Sequence, residues 1–188
     1  MKRILIFGST GQLGTDLVQE FSDCEVTACG HLNIDLNNIE EIENAVAENR
    51  PEWIINASAY NDVVLSESNP DPALAINVKA VWAMAREARK TGATFVHFGT
   101  DYVFSGDKGT PYVESDVPRP LNVYAVSKLA GEYLAMQTYR WFVFRVSALY
   151  GLAGCRTKGG SNFVELILNK ASLHEPVRVV KDKVCTPT

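Results

Sequence analysis

The stretch that most constrains the fold lies at the N-terminus. Residues 3–7 form a short apolar run that ends in Gly8-Ser-Thr-Gly-Gln-Leu-Gly14, and residues 15–21 then follow a helical period. A strand, a glycine turn and a helix in this order form the opening βα unit of a nucleotide-binding sheet. The glycines allow a tight turn and a close approach of backbone to a pyrophosphate, whose charge then rests at the helix N-terminus. The spacing is GxxGxxG and not the commoner GxGxxG.

The rest of the chain repeats the alternation. Strands are expected at 25–30, 52–57, 93–98, 141–146 and 177–180, and helices at 39–50, 72–91, 122–139 and 162–172. Pro51 closes the first of these helices, and Gly92 follows the second. Strands and helices alternating at this spacing predict an α/β fold, a doubly wound parallel sheet with right-handed crossovers, in one domain over 1–188. In such sheets the ligand lies beyond the carboxyl ends of the strands. Gly8, Asn56, Gly99, Thr100 and Ser147 all fall at strand ends and are expected to line one crevice. The second strand runs into Cys29-Gly30-His31 and offers neither an acid for a ribose 2′-hydroxyl nor an Arg for a 2′-phosphate. NAD and NADP both stay open.

Composition narrows the partners. A net charge of −4 with no basic run argues against nucleic acid or an anionic membrane, and no apolar stretch approaches the ~20 residues of a membrane span. A cytoplasmic location is expected. Cys24, Cys29, Cys155 and Cys185 show no CxxC pairing and the three histidines are scattered, so neither a metal site nor a disulfide framework is expected. His97, inside the apolar run at 93–98, reads as a core residue.

Two segments carry chemistry. On the helix expected after Pro118-Arg-Pro120, with Asn122 as N-cap, Tyr124 and Lys128 leave the same face one turn apart. A nearby ammonium lowers a phenol's pKa and makes it a usable general acid, although the same spacing also suits an amphipathic helix with a buried Tyr and a solvated Lys. The stretch 100–121 has little regular pattern, and loops of this length inside compact domains are usually functional. It carries Thr100-Asp-Tyr-Val-Phe104 and delivers the chain to Tyr124.

Together these segments resemble the extended short-chain dehydrogenase/reductase superfamily and, within it, the dTDP-4-dehydrorhamnose reductase family. The matching segments are Gly8-Ser-Thr-Gly-Gln-Leu-Gly14, Asn56-Ala-Ser-Ala59, Thr100-Asp-Tyr-Val-Phe104, 120–132, 144–151 and 182–188, which span essentially the whole chain. The resemblance implies NADPH- or NADH-dependent reduction of the C4 carbonyl of a nucleotide-linked 4-keto-6-deoxy sugar. Tyr124 would protonate the carbonyl oxygen, Lys128 would lower the Tyr pKa and bind the nicotinamide ribose, and Thr100 would orient the carbonyl. Gly8, Thr10, Gly11, Gln12 and Leu13 would surround the pyrophosphate, Asp35 and Leu36 the adenine, and Ala57, Ser58, Ala59 and Tyr60 the middle of the cofactor. Thr100, Asp101 and Ala148 would face the substrate. Asn77 is either the superfamily's helix Asn near the active site or a residue that hydrogen-bonds backbone. The resemblance also brings in Mg²⁺, without ligands.

Dehydratases of the superfamily carry Thr-Asp-Glu where Tyr102 follows Thr100-Asp101 here, so reduction is favoured over elimination. Three positions depart from the family. Its FRTSW reads Phe144-Arg-Val-Ser-Ala148, its AxTxVD places Asn61 and Val64 at the Thr and Asp, and Cys185 stands where Gly is usual. Family members continue into a helical C-terminal lobe, so the chain is expected to be truncated, with the substrate region beginning at about 148–188. Apolar surface left exposed would promote association, at its simplest a homodimer. A sugar-nucleotide epimerase, or a silent regulatory subunit like the β subunit of methionine adenosyltransferase, are the alternatives.

Overall fold

The computed structural model describes residues 1–151, 162–179, Thr186 and Thr188. Strands β1 (Arg3–Phe7), β2 (Glu25–Cys29), β3 (Trp53–Asn56), β4 (Thr94–Thr100) and β5 (Trp141–Val146) form one sheet in the order β2-β1-β3-β4-β5. Every pairing is parallel, with Phe7 opposite both Cys29 and Asn56, and Asn56 opposite His97.

The side-chain alternation of β1 shows why both faces are covered. Leu5 and Phe7 join a core with Ile42 and Val46 of α2 (Ile39–Asn49) and with Val81, Met84 and Ala88 of α5 (Val81–Thr91). Ile4 and Ile6 point the other way, against Leu17 and Val18 of α1 (Gln12–Glu20). A strand buried on both sides reads as a continuous apolar run, as 3–7 does.

Several boundaries differ from expectation for identifiable reasons. Helix α1 begins at Gln12, inside the glycine motif. The expected helix 72–91 is a short α4 (Asp71–Leu74), a π-helical turn Ala75–Ala80 and α5, which ends at Gly92 in the left-handed region. A helix α3 (Val63–Ser68), capped by the Asp62 side chain, was not expected. Helix α6 (Val123–Ala135) stops short of residue 139, and the Thr138 hydroxyl bonds the Ala135 carbonyl in the turn beyond it.

The far side is less covered. Trp141, Phe142 and Phe144 of β5 are exposed, with Phe142 stacked on Trp53 at 6.2 Å and Phe144 on Phe98 at 5.8 Å. Helix α7 (Phe163–Ser172) begins with a full capping box at Asn162 and Glu165 and buries no residue. The sixth strand expected at 177–180 is not formed over the described residues 177–179, and Val180 lies outside them. Cys155 and Cys185 also lie outside the described residues, while Cys24 and Cys29 are free thiols.

Candidate active site

The carboxyl ends of β1, β3, β4 and β5 converge. At the first, Gly8 adopts φ +80°, and a Cβ there would lie 2.6 Å from the Ser58 nitrogen, so the turn passes flush against the segment leaving β3. Helix α1 rests on the same turn, because a Cβ on Gly14 would lie 2.1 Å from the Gly8 carbonyl oxygen. Neither position tolerates a side chain. Gly8 and Ser9 donate their N–H groups to the Cys29 carbonyl at 2.8 and 3.1 Å, which ties the loop to β2.

The N-terminus of α1 is built for an anion. Gly11 caps it without a side-chain hydrogen bond, and no acidic residue sits in the first turn. The positive end of the helix dipole, with the amides of Gln12 and Leu13, therefore faces outward. The buried Gln12 Nε2 has no hydrogen-bond partner among the described residues, as befits a group awaiting an acceptor. Thr10 lines the same loop, near enough to Gly30 that a Cβ on Gly30 would meet its methyl at 2.5 Å. Past β2, Asp35 accepts both the backbone and side-chain N–H of Asn37 at 2.9 and 2.8 Å, which holds its carboxyl below the usual range. Leu36 packs against the core. The open helix end and the unpartnered Gln12 amide fit the pyrophosphate of a dinucleotide along Gly8–Leu13.

The segment from Ala57 to Tyr60 bridges the glycine turn and α6. Ala57 N–H bonds the Phe7 carbonyl at 2.9 Å, and Ser58 donates both its N–H and its hydroxyl to Asn56 Oδ1 at 3.0 and 2.5 Å. Ala59 leads to Tyr60, whose N–H and C=O are both held by Asn77 from the π-helical turn. Asn77 also donates to the Ser127 hydroxyl at 3.0 Å, on α6. It bonds backbone, as one reading of this residue has it, and it also reaches α6, the helix that carries Tyr124.

Asn122 caps α6 as expected, accepting the Ala125 N–H at 2.8 Å, and Glu67 accepts the Val123 N–H at 2.7 Å. Tyr124 then stands beside Thr100, at the end of β4, close enough for the Thr hydroxyl to act on the phenol. Asp101 accepts the Thr100 hydroxyl at 3.3 Å and the Ser147 hydroxyl at 2.7 Å, linking β4 to the exit of β5. Tyr102 meets Tyr124 edge-on at 6.0 Å. Ala148, next to Ser147, is exposed on the rim, and Val64 is an exposed residue of α3.

Lys128 departs from the sequence reading. Its Nζ donates to the Phe98 carbonyl at 2.6 Å, and the residue is 3% exposed. Burial brings its pKa down to about 8, while Glu132 acts against that fall. Tyr124 is not lowered by this ammonium. Burial raises the phenol, the Thr100 hydroxyl beside it lowers it, and Asp101 and Tyr102 raise it further. The expected Lys128 effect on the phenol is absent because the ammonium is turned into the sheet.

Beneath these groups lies a polar layer that the sequence reading did not find. His97 is fully buried, as a core residue should be, and burial together with Lys128 holds its pKa well below the ordinary value. Its Nδ1 meets Asn56 Nδ2 at 3.1 Å. Ser58 occupies Asn56 Oδ1, so the amide nitrogen must donate and the proton of His97 sits on Nε2. Glu132, fully buried, accepts Arg145 Nε and Nη2, each at 2.9 Å. Its position one turn beyond Lys128 was the available signal.

The loop 100–121 is ordered by its own side chains. Phe104 stacks on Tyr112 at 4.2 Å, the Tyr112 oxygen accepts the Gly106 N–H at 2.9 Å, and Lys108 pairs with Asp116 at 2.6 Å. It is a built structure beside Tyr124. Among the described residues no cluster of three or more His, Cys, Asp or Glu is gathered for a metal ion, and no helix is long and apolar enough to cross a membrane.

Known proteins share this arrangement. A dTDP-4-dehydrorhamnose reductase of Escherichia coli K12 is 38% identical over 98% of the chain and 62% of its own length. The crystal structure of a dTDP-4-dehydrorhamnose reductase ortholog from Clostridium acetobutylicum superposes with a TM-score of 0.90 at 32% identity, over 99% of this chain and 65% of that one. The Bacillus anthracis reductase in complex with NADP superposes at 0.85 and 34% identity, over 92% and 61%. The chain thus spans about three fifths of the length of these relatives. The family model described as the RmlD substrate binding domain matches residues 1–188, and the chain belongs to that family.

Proposed function

We propose that this chain carries the cofactor site and the proton-transfer residues of an NAD(P)H-dependent reductase of a nucleotide-linked 4-keto-6-deoxy sugar, dTDP-4-dehydrorhamnose first among the candidates. The observation that carries it is the placement of Tyr124 beside Thr100 at the end of β4, with Lys128 one turn along α6 and the glycine turn at the end of β1. A bound reduced nicotinamide supplies the hydride. Tyr124 supplies the proton: its O–H bond breaks as the substrate's carbonyl oxygen gains the hydrogen, leaving an alcohol and a phenolate. Because burial raises this phenol, it is protonated at neutral pH and ready to donate. The Thr100 hydroxyl holds the carbonyl oxygen and then the phenolate, and Lys128 can turn from Phe98 to the ribose and the phenolate.

The relatives' names supply the substrate class, and the NADP in the Bacillus anthracis structure makes NADPH the first cofactor to try. Gly8, Thr10, Gly11, Gln12, Leu13, Ala57 and Ser58 would hold it. Asp101 and Ala148 would line the sugar-nucleotide side, within a substrate region that begins near residue 148. We place the protein in the cytoplasm, without a nucleic-acid partner, and read the exposed β5 aromatics as favouring self-association.

The test is the absorbance of NADPH, then NADH, with dTDP-4-dehydrorhamnose. Oxidation of either cofactor supports the reading. Bound cofactor with no oxidation turns it towards another sugar nucleotide or a non-catalytic role.

A further inference from the structure

Glu132 is a buried carboxylate with one oxygen engaged and one not. Oε2 accepts both Arg145 contacts at 2.9 Å, while Oε1 has no hydrogen-bond partner among the described residues. Oε1 lies against Gly99, where a Cβ would come within 2.1 Å of it. Lys128 is the residue one turn earlier on the same face of α6, and its Nζ bonds the carbonyl of Phe98, the neighbour of Gly99. The ammonium and the carboxylate therefore press on consecutive residues of β4. An unpartnered buried carboxylate oxygen is costly, and a pair that only tied α6 to β5 would engage both oxygens with the Arg fork.

We propose that Glu132 is a positioning residue for Lys128, its Arg145-anchored carboxylate being the counter-charge that keeps the ammonium charged inside the protein while the Lys head turns between the Phe98 carbonyl and the cofactor. Its functional meaning rests on the reductase reading, but its test does not. Among the described residues the charged and titratable groups around Lys128 are few. His97 faces it from β4 and is neutral, Glu132 faces it from α6, Arg145 stands behind Glu132 on β5, and Asp101 lies beyond Tyr124; the π-helical turn presents the neutral Asn77. Burial pulls the Lys128 pKa down to about 8 and Glu132 alone among these opposes it.

Gly99 gives the arrangement its geometry. Any side chain there would drive the carboxylate off β4, so the glycine is required by Glu132 and not by backbone conformation. Arg145 in turn lies over the Phe104 ring at 5.1 Å, which connects the ion pair to the loop beside Tyr124.

The experiment is an NMR titration of lysine-labelled protein, following Lys128 directly, in wild type, Glu132→Gln and Arg145→Gln. The wild-type midpoint is expected near pH 8. Glu132→Gln is expected to lower it by roughly a unit, because the counter-charge is gone. Arg145→Gln is expected to raise it, because the carboxylate is no longer shared. A midpoint that stays put in both variants, or moves the same way in both as mere loosening would, overturns the proposal. Should Glu132→Gln fail to fold, Glu132→Asp, which keeps the charge but draws it back from Lys128, takes its place: a midpoint below wild type is expected, and one at or above it overturns the proposal. Turnover adds a second readout: with a midpoint lower by a unit, Glu132→Gln should lose about fivefold at pH 8 and regain it at pH 6. Loss of turnover in Tyr124→Phe tests the reductase reading separately, whatever Lys128 does.

Discussion

Asn77 grips Tyr60 by both backbone groups, its Oδ1 accepting the Tyr60 N–H at 2.9 Å and its Nδ2 donating to the Tyr60 carbonyl at 2.9 Å. The grip fixes the loop after β3 to the π-helical turn, and through Ser127 to α6. Asn77→Leu leaves two peptide groups without partners in a part-buried place, a loss of about 2–4 kcal/mol. Denaturant unfolding checks this, with the midpoint falling and the slope unchanged. NADPH affinity should fall as well, since the loop that carries Ala57 to Tyr60 is freed.

Gly8 makes an equally local prediction. A Cβ there needs a positive φ and space that the Ser58 backbone already occupies. Gly8→Ala should cost at least about 1–3 kcal/mol from the conformation, with the clash in addition. Cofactor fluorescence titration should show binding weakened far more than the stability loss alone explains, because the turn that faces the pyrophosphate must move.

Much of this was legible in the sequence because burial leaves a mark. The ends of β1 and β5 match the apolar runs, and Gly8, Asn56, Thr100 and Ser147 do converge. The π-helical turn left no mark, since Ala75 to Ala80 has the composition of an ordinary helix. No strand forms over the described residues 177–179, because β-branched residues supply propensity only and a strand also needs a partner to pair with. The Glu132–Arg145 pair joins a helix to a strand 13 residues on, a contact set by how α6 crosses β4 at Gly99 and by nothing local. Nor did the spacing of Tyr124 and Lys128 show that the Lys head is held by Phe98.

Tyr124→Phe separates binding from chemistry. The ring and its edge contact with Tyr102 survive, and only the hydroxyl beside Thr100 is lost. Turnover should fall by at least the ~10²–10⁴-fold that a positioned general acid supplies, with cofactor binding nearly unchanged. Stopped-flow NADPH decay and equilibrium titration measure the two sides. Unchanged turnover would remove Tyr124 from the role of proton donor.

Lys128 also leaves a signature on stability. Its pKa is about 8 in the folded chain against 10.5 for the free side chain. Between those values the unfolded chain binds a proton that the folded chain does not, so this residue makes stability rise with pH across that window. Below about pH 8 the folded state must bury a charge, a penalty of about 3 kcal/mol relative to a Lys of ordinary pKa. Lys128→Met should therefore stabilise the protein at pH 7 and flatten its stability between pH 8 and 10 relative to wild type, even as it abolishes turnover. Urea melts of both proteins at half-unit pH steps would show it. A wild-type curve that falls steadily from pH 8, in parallel with the variant, would mean that Lys128 titrates as an ordinary lysine and that its burial carries no electrostatic cost.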